Sequence, residues 1–321
     1  MVMKMSINGI VNINKPRGKT SFSVISHIKR LSGEKHVGHT GTLDPLATGV
    51  LPVCIGQATR VVQYLINSDK TYLAEIELGI TTDTFDGEGE ITSRLDFSSI
   101  TAVQIERALV IFKGVIEQSP PIYSAIKYKG KKLYELARAG KTVQPKPREV
   151  RINSIDLVDC NLPLFTIKVE CGKGTYIRSL AHDVGQYLGC GAFLKNLVRT
   201  RCGPFNIEES HSPSEIEEYF KLGIINNILH PIDIPLLNWP AAVLNSETEL
   251  AVRNGRLIAL AEEKLRSDEY CRAYSLKGDF VAVLRFIPDK NLWHPEKVFS
   301  LQYPLPTVCP ACNHCCSKAN S

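Results

Sequence analysis

Residues Gly38 to Pro52 read Gly-His-Thr-Gly-Thr-Leu-Asp-Pro-Leu-Ala-Thr-Gly-Val-Leu-Pro and carry a single carboxylate, Asp44. Gly38, Gly41 and Gly49 permit positive φ at three points, and Pro45 biases Asp44 away from the helical region. The carboxylate is therefore presented from a constrained loop, which suits a nucleophile. The same residues also suit an Asx-type turn in which Asp44 only binds its own backbone, and the local pattern leaves both readings open.

A second feature is charge. Lys127 to Arg151 holds nine basic residues (Lys127, Lys129, Lys131, Lys132, Arg138, Lys141, Lys146, Arg148 and Arg151) against Glu135 and Glu149, a net +7. The whole chain carries only +5, so the remainder is net −2 and the positive excess sits in this one stretch. Such concentration points to a polyanionic partner. A third is the run Cys309-Pro-Ala-Cys312-Asn-His314-Cys315-Cys316. Its soft ligands suit zinc, but structural zinc sites draw paired ligands from two separated knuckles, and eight consecutive residues give poor tetrahedral geometry. The expectation is an exposed, oxidisable tail without metal.

These residues need a scaffold. With 321 residues, 44% of them apolar and 22% charged, the chain reads as a globular protein with one catalytic domain and a small accessory domain. No apolar run approaches the length of a membrane span, and Met1 to Lys15 lacks the apolar core of a signal peptide, so a cytoplasmic protein is expected. Cys54, Cys160, Cys171, Cys190, Cys202 and Cys271 are scattered singly and read as small buried hydrophobes.

Val24, Ile25, Ile28 and Leu31 fall at helical spacing behind Thr20 and Ser21 as candidate N-caps, which predicts a helix over 21–31 after a first strand. Residues 38–56 read as an ordered loop leading into a short apolar strand. Tyr72, Ala74, Ile76 and Leu78 alternate as in a half-buried strand. Residues 101–112 predict a second helix, and a short third one runs from Leu133 to Ala139, ended by Gly140. Phe165, Ile167, Val169 and Cys171 share one face of a strand, and Leu180, Val184 and Leu188 one face of the helix closed by Gly189. The irregular alternation favours an α+β domain with a largely antiparallel sheet flanked by helices. After Pro231 the texture becomes β-rich, with one brief helix near 248–253, and suggests a small barrel-like module. From Pro304 onward the composition is too poor in apolar residues to pack.

Gly38 to Pro52 resembles the catalytic loop of the TruB family of tRNA pseudouridine-55 synthases nearly residue for residue. Further family motifs follow in order: Asn14-Lys-Pro-Arg-Gly-Lys-Thr-Ser21, Asp69-Lys-Thr-Tyr72, Tyr123-Ser-Ala-Ile-Lys127 with Leu133-Tyr-Glu-Leu-Ala-Arg138, Lys173-Gly-Thr-Tyr-Ile-Arg-Ser-Leu180 and Leu197-Val-Arg-Thr200. They cover most of the first 205 residues. Gly172 departs from the serine more usual there, and the cysteine-rich tail has no counterpart.

The resemblance implies a pseudouridine synthase catalytic domain over residues 1–230, a basic RNA-gripping insertion at about 121–151, a PUA-like RNA-binding domain at 231–303 and a tail at 304–321. It implies isomerisation of uridine 55 in the TΨC stem-loop of tRNA, without cofactor, membrane or obligate protein partner, by a monomer. Asp44 becomes the nucleophile, Arg178 the cation paired with it, and Tyr72 the residue that stacks on the target base and assists proton removal. His39 resembles the histidine that wedges into the space left by the flipped uridine. Tyr176 and Leu197 resemble residues lining the uracil pocket, and Lys15 one that supports the loop. Lys127, Lys129, Lys131, Lys132 and Arg138 fall where the family grips the RNA backbone. Two other classes compete: an RNA-binding or tRNA-folding protein without catalysis, which loss of Asp44, Tyr72 or Arg178 would favour, and a hydrolytic glycosidase. The latter needs a second carboxylate close to Asp44, and no motif places one there.

Overall fold

The computed structural model describes residues 6–123, 127–128, 130–132, 145–260 and 269–300. The first strand, β1 (Gly9–Lys15), leads into α1 (Ser21–Ser32), which begins where Thr20 accepts a hydrogen bond from the Ser23 amide and ends where Gly33 turns left-handed. The start is the one the N-cap candidates predict, and the end is a left-handed glycine that the sequence reading did not single out. Next come β2 (Val37–His39) and β3 (Thr48–Ile55), which pair with each other. The glycine pattern reads Gly38 and His39 as loop, but they extend a strand too short to show a period, so the loop carrying Asp44 is only residues 40–47.

Then follow α2 (Val62–Ile66), β4 (Lys70–Leu78), α3 (Ala102–Ile111) and β5 (Gly114–Gln118). The long hairpin of β6 (Arg148–Asn161) and β7 (Leu164–Cys171), then α4 (Ile177–Tyr187), β8 (Ala192–Cys202) and α5 (Pro213–Lys221), complete this part. Tyr72, Ala74, Ile76 and Leu78 are all buried, as their alternation requires. Buried Phe165, Ile167, Val169 and Cys171 likewise share one face of β7.

The sheet order is β1-β3-β8-β4-β7-β6-β5, with β2 added beside β3. Its neighbours are antiparallel except β3 and β8, which run parallel. The expected largely antiparallel sheet is thus joined at its centre by one parallel contact. There Arg199 of β8 is opposite Gly49 on one side and Tyr72 on the other. Gly49 has φ +97°, and a Cβ on it would stand 2.3 Å from the Arg199 carbonyl, so only glycine allows this approach.

Residues beyond 231 form β9 (Ala241–Val243), α6 (Ser246–Arg253), β10 (Tyr270–Tyr274), β11 (Phe280–Ile287) and β12 (Leu292–Val298). Among the described residues these strands make an open sheet in the order β9-β10-β11-β12 and not a closed barrel. Tyr274, Phe280 and Phe299 share an apolar cluster with Ile10, Val50 and Phe205 of the first part. Cys54, Cys171, Cys190, Cys202 and Cys271 are buried and Cys160 half-buried. No described helix is long and apolar enough to cross a membrane.

In the basic segment, Lys127–Tyr128 and Lys131–Lys132 pair as a two-stranded ribbon. Lys129, Arg138, the helix expected over 133–139 and Cys309, Cys312, Cys315 and Cys316 lie outside the described residues.

Candidate active site

Several elements of the sheet and its flanking loops deliver groups to a cleft of about 680 Å³. The 40–47 loop brings Asp44, β4 brings Tyr72, β8 brings Leu197 and Arg199, and the start of α4 brings Tyr176 and Arg178. Thr84 and Asp86, from the turn after the short ribbon strand Ile80–Thr82, line the other side.

Arg178 is nearly buried, and its Nε lies 3.0 Å from Asp44 Oδ2. The Nε–H is not aligned for a hydrogen bond, so this contact is an ion pair. The rest of the guanidinium is committed elsewhere: Nη1 lies 3.3 Å from Asp86 Oδ2 and donates to the Thr84 carbonyl at 3.2 Å, and Nη2 donates to the Tyr123 carbonyl at 2.9 Å. A planar fork with five N–H groups can hold four partners at once, which an ammonium could not do in this geometry.

The Asp44 side chain keeps 37% of its surface exposed to the cleft. Burial nonetheless pushes its carboxyl pKa up, opposed first by Arg178; Asp86 pushes it further up and Lys15 draws it down. Asp44 is thus reachable and held in tension between desolvation and a fixed cation.

Lys15 lies beneath the loop. Its ammonium donates to the carbonyls of Lys19 at 2.6 Å, Pro16 at 3.0 Å and Pro45 at 3.3 Å, the last being next to Asp44. Burial lowers its pKa to about 8, against the attraction of Asp44. Ser21 binds the loop from α1: its Oγ accepts from the Leu43 amide at 2.9 Å and donates to the Leu43 carbonyl at 3.0 Å.

Burial drives the Tyr72 phenol up to about 12, with Arg199 opposing, so the free protein holds it protonated at neutral pH. Arg199 in turn donates from Nε to the Val50 carbonyl at 2.6 Å and from Nη2 to the Gly41 carbonyl at 3.1 Å. Tyr176 is anchored by Gln118, which accepts from its amide at 2.7 Å and donates to its carbonyl at 3.0 Å. His39 does not line the cleft; its Nδ1 accepts from the Gly41 amide at 3.2 Å, and burial lowers its pKa, leaving a neutral ring.

The structure therefore gathers Asp44, Tyr72, Arg178, Tyr176 and Leu197 around one cleft, sets Lys15 behind it and His39 beside it. Sequence reasoning missed Asp86 and the role of Arg199. No motif placed a second carboxylate close to Asp44, yet Asp86 lies across Arg178 from it. Asp86 is buried, accepts from Thr84 Oγ1 at 2.6 Å and from the Glu88 amide at 3.1 Å, and is spent on Arg178, so it is no general acid for glycoside hydrolysis. The signal lay in Asp83-Thr-Phe-Asp-Gly87, a turn-like run that carries two carboxylates, Asp83 and Asp86. Arg199 stood inside a quoted motif, but only the strand register reveals what it binds. Among the described residues no group of three or more His, Cys, Asp or Glu is placed to hold a metal ion.

A carboxylate that lines an open cleft beside a fixed arginine, with an aromatic ring lining the same cleft, suits covalent chemistry on a flat ring or an anomeric carbon. The comparisons agree with that class. The model of the TruB family pseudouridylate synthase N-terminal domain matches residues 29–177, and that of the tRNA pseudouridylate synthase B C-terminal domain matches residues 178–236. The chain belongs to the TruB family of pseudouridylate synthases. It is 44% identical over 300 residues to the tRNA pseudouridine synthase B of Dehalococcoides mccartyi, covering 94% of this chain and 99% of that one. With the enzyme of the same name from Clostridium kluyveri it shares 42% identity, covering 86% and 95% of the two chains. Among solved structures, a chain of a Cbf5-Nop10-Gar1 complex superposes with a TM-score of 0.69 at 26% identity, covering 92% of this chain and 85% of that one. A chain of an H/ACA RNP bound to a substrate RNA containing 2'-deoxyuridine gives 0.67 at 25% identity, covering 93% and 86%.

Proposed function

We propose that this protein isomerises uridine 55 in the TΨC loop of tRNA to pseudouridine, with Asp44 as the nucleophile. The observation that carries the reading is the Asp44–Arg178 pair at 3.0 Å on the floor of an open cleft. A carboxylate held by one strong cation, and not neutralised by several donors, keeps an oxygen for attack. The names of the relatives, tRNA pseudouridine synthase B, support tRNA as the substrate, and the substrate RNA in the H/ACA complex supports an RNA in a cleft of this shape.

The reaction breaks N1–C1′, turns the base, joins C5 to C1′ and loses the C5 proton, with N1 gaining one; no redox change is involved. Asp44 adds to the uracil ring or captures C1′, and either path needs the ionised carboxylate in a pocket from which the bound base has expelled water. Expulsion raises the carboxyl pKa further, and the Arg178 guanidinium opposes it and favours the charged form of Asp44. Tyr72 stacks on the base. With its phenol pushed up to about 12 it arrives protonated, so it takes the C5 proton only as the phenolate, after its own proton has passed to N1, the atom that gains one. Tyr176 and Leu197 form the walls of the uracil pocket, Lys15 keeps the loop carbonyls in place, and His39, two residues from Gly41 of the cleft, fills the space left by the flipped base.

Lys127, Lys129, Lys131, Lys132 and Arg138 supply phosphate contacts, and residues 231–303 a second, PUA-like RNA contact, in an enzyme that acts as a cytoplasmic monomer without cofactor. The test is release of tritium from C5-labelled uridine in tRNA transcripts, with mapping of the product. Pseudouridine at position 55 alone is expected; purified protein that binds tRNA but releases no tritium overturns the reading.

A further inference from the structure

The turn that grips Arg178 from the side away from Asp44 contains a strained residue. Phe85 has φ +62°, in the left-handed region, where a residue with a Cβ persists only if its surroundings over-determine it. Its two chain neighbours are the groups Arg178 uses: Thr84 gives a carbonyl and Asp86 a carboxylate. The backbone of Phe85 is docked on both sides, its carbonyl accepting from the Leu194 amide at 3.0 Å and its amide donating to the Thr82 carbonyl at 3.3 Å.

The Phe85 ring lies flat on His182, with centroids 4.0 Å apart and planes 20° from parallel. His182 stands one turn along α4 from Arg178. Its buried Nδ1 has no hydrogen-bond partner among the described residues, and burial pushes its pKa down. The imidazole is therefore neutral and offers a flat face in place of a hydrogen bond. Helix α4 holds the turn twice, once through Arg178 and once through this stack.

We infer that Phe85 and His182 form a stacked lock that positions Arg178, and through it the Asp44 carboxylate, for reaction. Both are positioning residues, since neither lines the cleft. The inference rests on the reading of Asp44 as the nucleophile.

The charged groups that face Asp44 are Arg178 from α4, Asp86 from the turn and Lys15 from β1. If the lock sets Arg178, its loss weakens the attraction that opposes burial; Asp44 then keeps its proton to higher pH, and the acid limb of kcat moves up. Phe85→Gly is the informative variant, because glycine adopts φ +62° without strain and the fold is spared while the stack is lost. The expected result is a Tm at or above that of the native protein and a raised Asp44 midpoint in carbon-13 NMR of the substrate-free protein. With it goes a kcat on tRNA lowered about tenfold at unchanged KM. His182→Ala should repeat the midpoint and kcat changes, and His182→Phe, which keeps a flat face, should restore both. An unmoved midpoint in Phe85→Gly, or a His182→Phe as impaired as His182→Ala, overturns the lock. The midpoint is read without RNA, so a native protein that forms no pseudouridine would overturn the functional reading alone.

Discussion

Two arginine and carboxylate networks, one at the cleft and one in the C-terminal module, differ in one respect. In the cleft, Arg178 joins Asp44 and Asp86, and Asp44 is left open on one side. In the C-terminal module, Arg272 donates to the Tyr274 hydroxyl at 2.9 Å, that hydroxyl donates to Asp233 at 2.5 Å, and Arg272 Nε donates to the Trp239 carbonyl at 3.1 Å. All three side chains there are buried. The closed network satisfies its members against each other and gives cohesion. The open one leaves a charge with unspent capacity, which is a cost to the fold and, on the proposed reading of Asp44 as nucleophile, the source of its reactivity.

Asp44→Asn should separate these effects most sharply. An amide is too weak a nucleophile for the covalent step, so tritium release should fall at least about a thousandfold, on the order of 4 kcal/mol of barrier. Stability should move the other way. The folded pKa of Asp44 is raised above its unfolded value, so the ionised carboxylate burdens the native state; that burden is absent below the ordinary carboxylate range and complete above the raised value. The variant should melt at or above the native protein at pH 7, with the difference closing as pH falls. A lower Tm with residual turnover within tenfold would assign Asp44 to turn-making instead.

The closed network predicts the reverse outcome. Asp233→Ala strands Arg272 and the Tyr274 hydroxyl without their carboxylate in a buried site, which should cost about 3–5 kcal/mol and lower Tm by roughly 5–10 °C. Turnover per folded molecule should stay within about twofold, because no residue of this network lines the cleft. A large loss of kcat in the folded variant would erase the distinction between the two networks.

The same contrast bears on what could be read from the sequence. Caps and periods located α1, α3, β4, β7 and α4, because each carries enough residues to show a repeat or a terminal signal. The three-residue strand β2 does not, and the parallel β3–β8 contact is set by Gly49 lying on the Arg199 backbone, a pairing across 150 residues that no local pattern encodes. Asp44 and Arg178 were legible through their motifs. Asp86 was not, since it acts only through a guanidinium contributed by another element. The Tyr274–Asp233 pair was invisible for the same reason.

Arg178→Lys tests whether the open network needs a fork or only a charge. A lysine keeps the positive charge but cannot serve Asp44, Asp86 and the Thr84 and Tyr123 carbonyls together. Turnover should drop about 30-fold to 100-fold, roughly 2–3 kcal/mol, with the acid limb of kcat displaced to higher pH as Asp44 loses the cation fixed beside it. Restoration of native turnover by lysine would mean that charge alone suffices, and the geometric reading of the clamp would fall.

Tyr274→Phe is the finest probe. It removes one hydroxyl from the closed network without opening a cavity, so Arg272 loses an acceptor and Asp233 a donor. A hydrogen bond to a charged group contributes on the order of 1.5–3 kcal/mol, and retained attraction between Arg272 and Asp233 should bring the net loss to about 1–2 kcal/mol. Burial raises the Asp233 pKa and the Tyr274 hydroxyl is the first group opposing it, so the variant should raise it further. A carboxylate whose folded pKa rises above its unfolded one is destabilising when ionised, which fixes the sign. The deficit should be largest at neutral pH and above, and shrink as pH falls through the raised value and Asp233 takes up its proton. Thermal melts of both proteins across that range measure it. A deficit that does not vary with pH would show that the hydroxyl serves packing and the arginine alone, and that Asp233 is not the group it holds ionised.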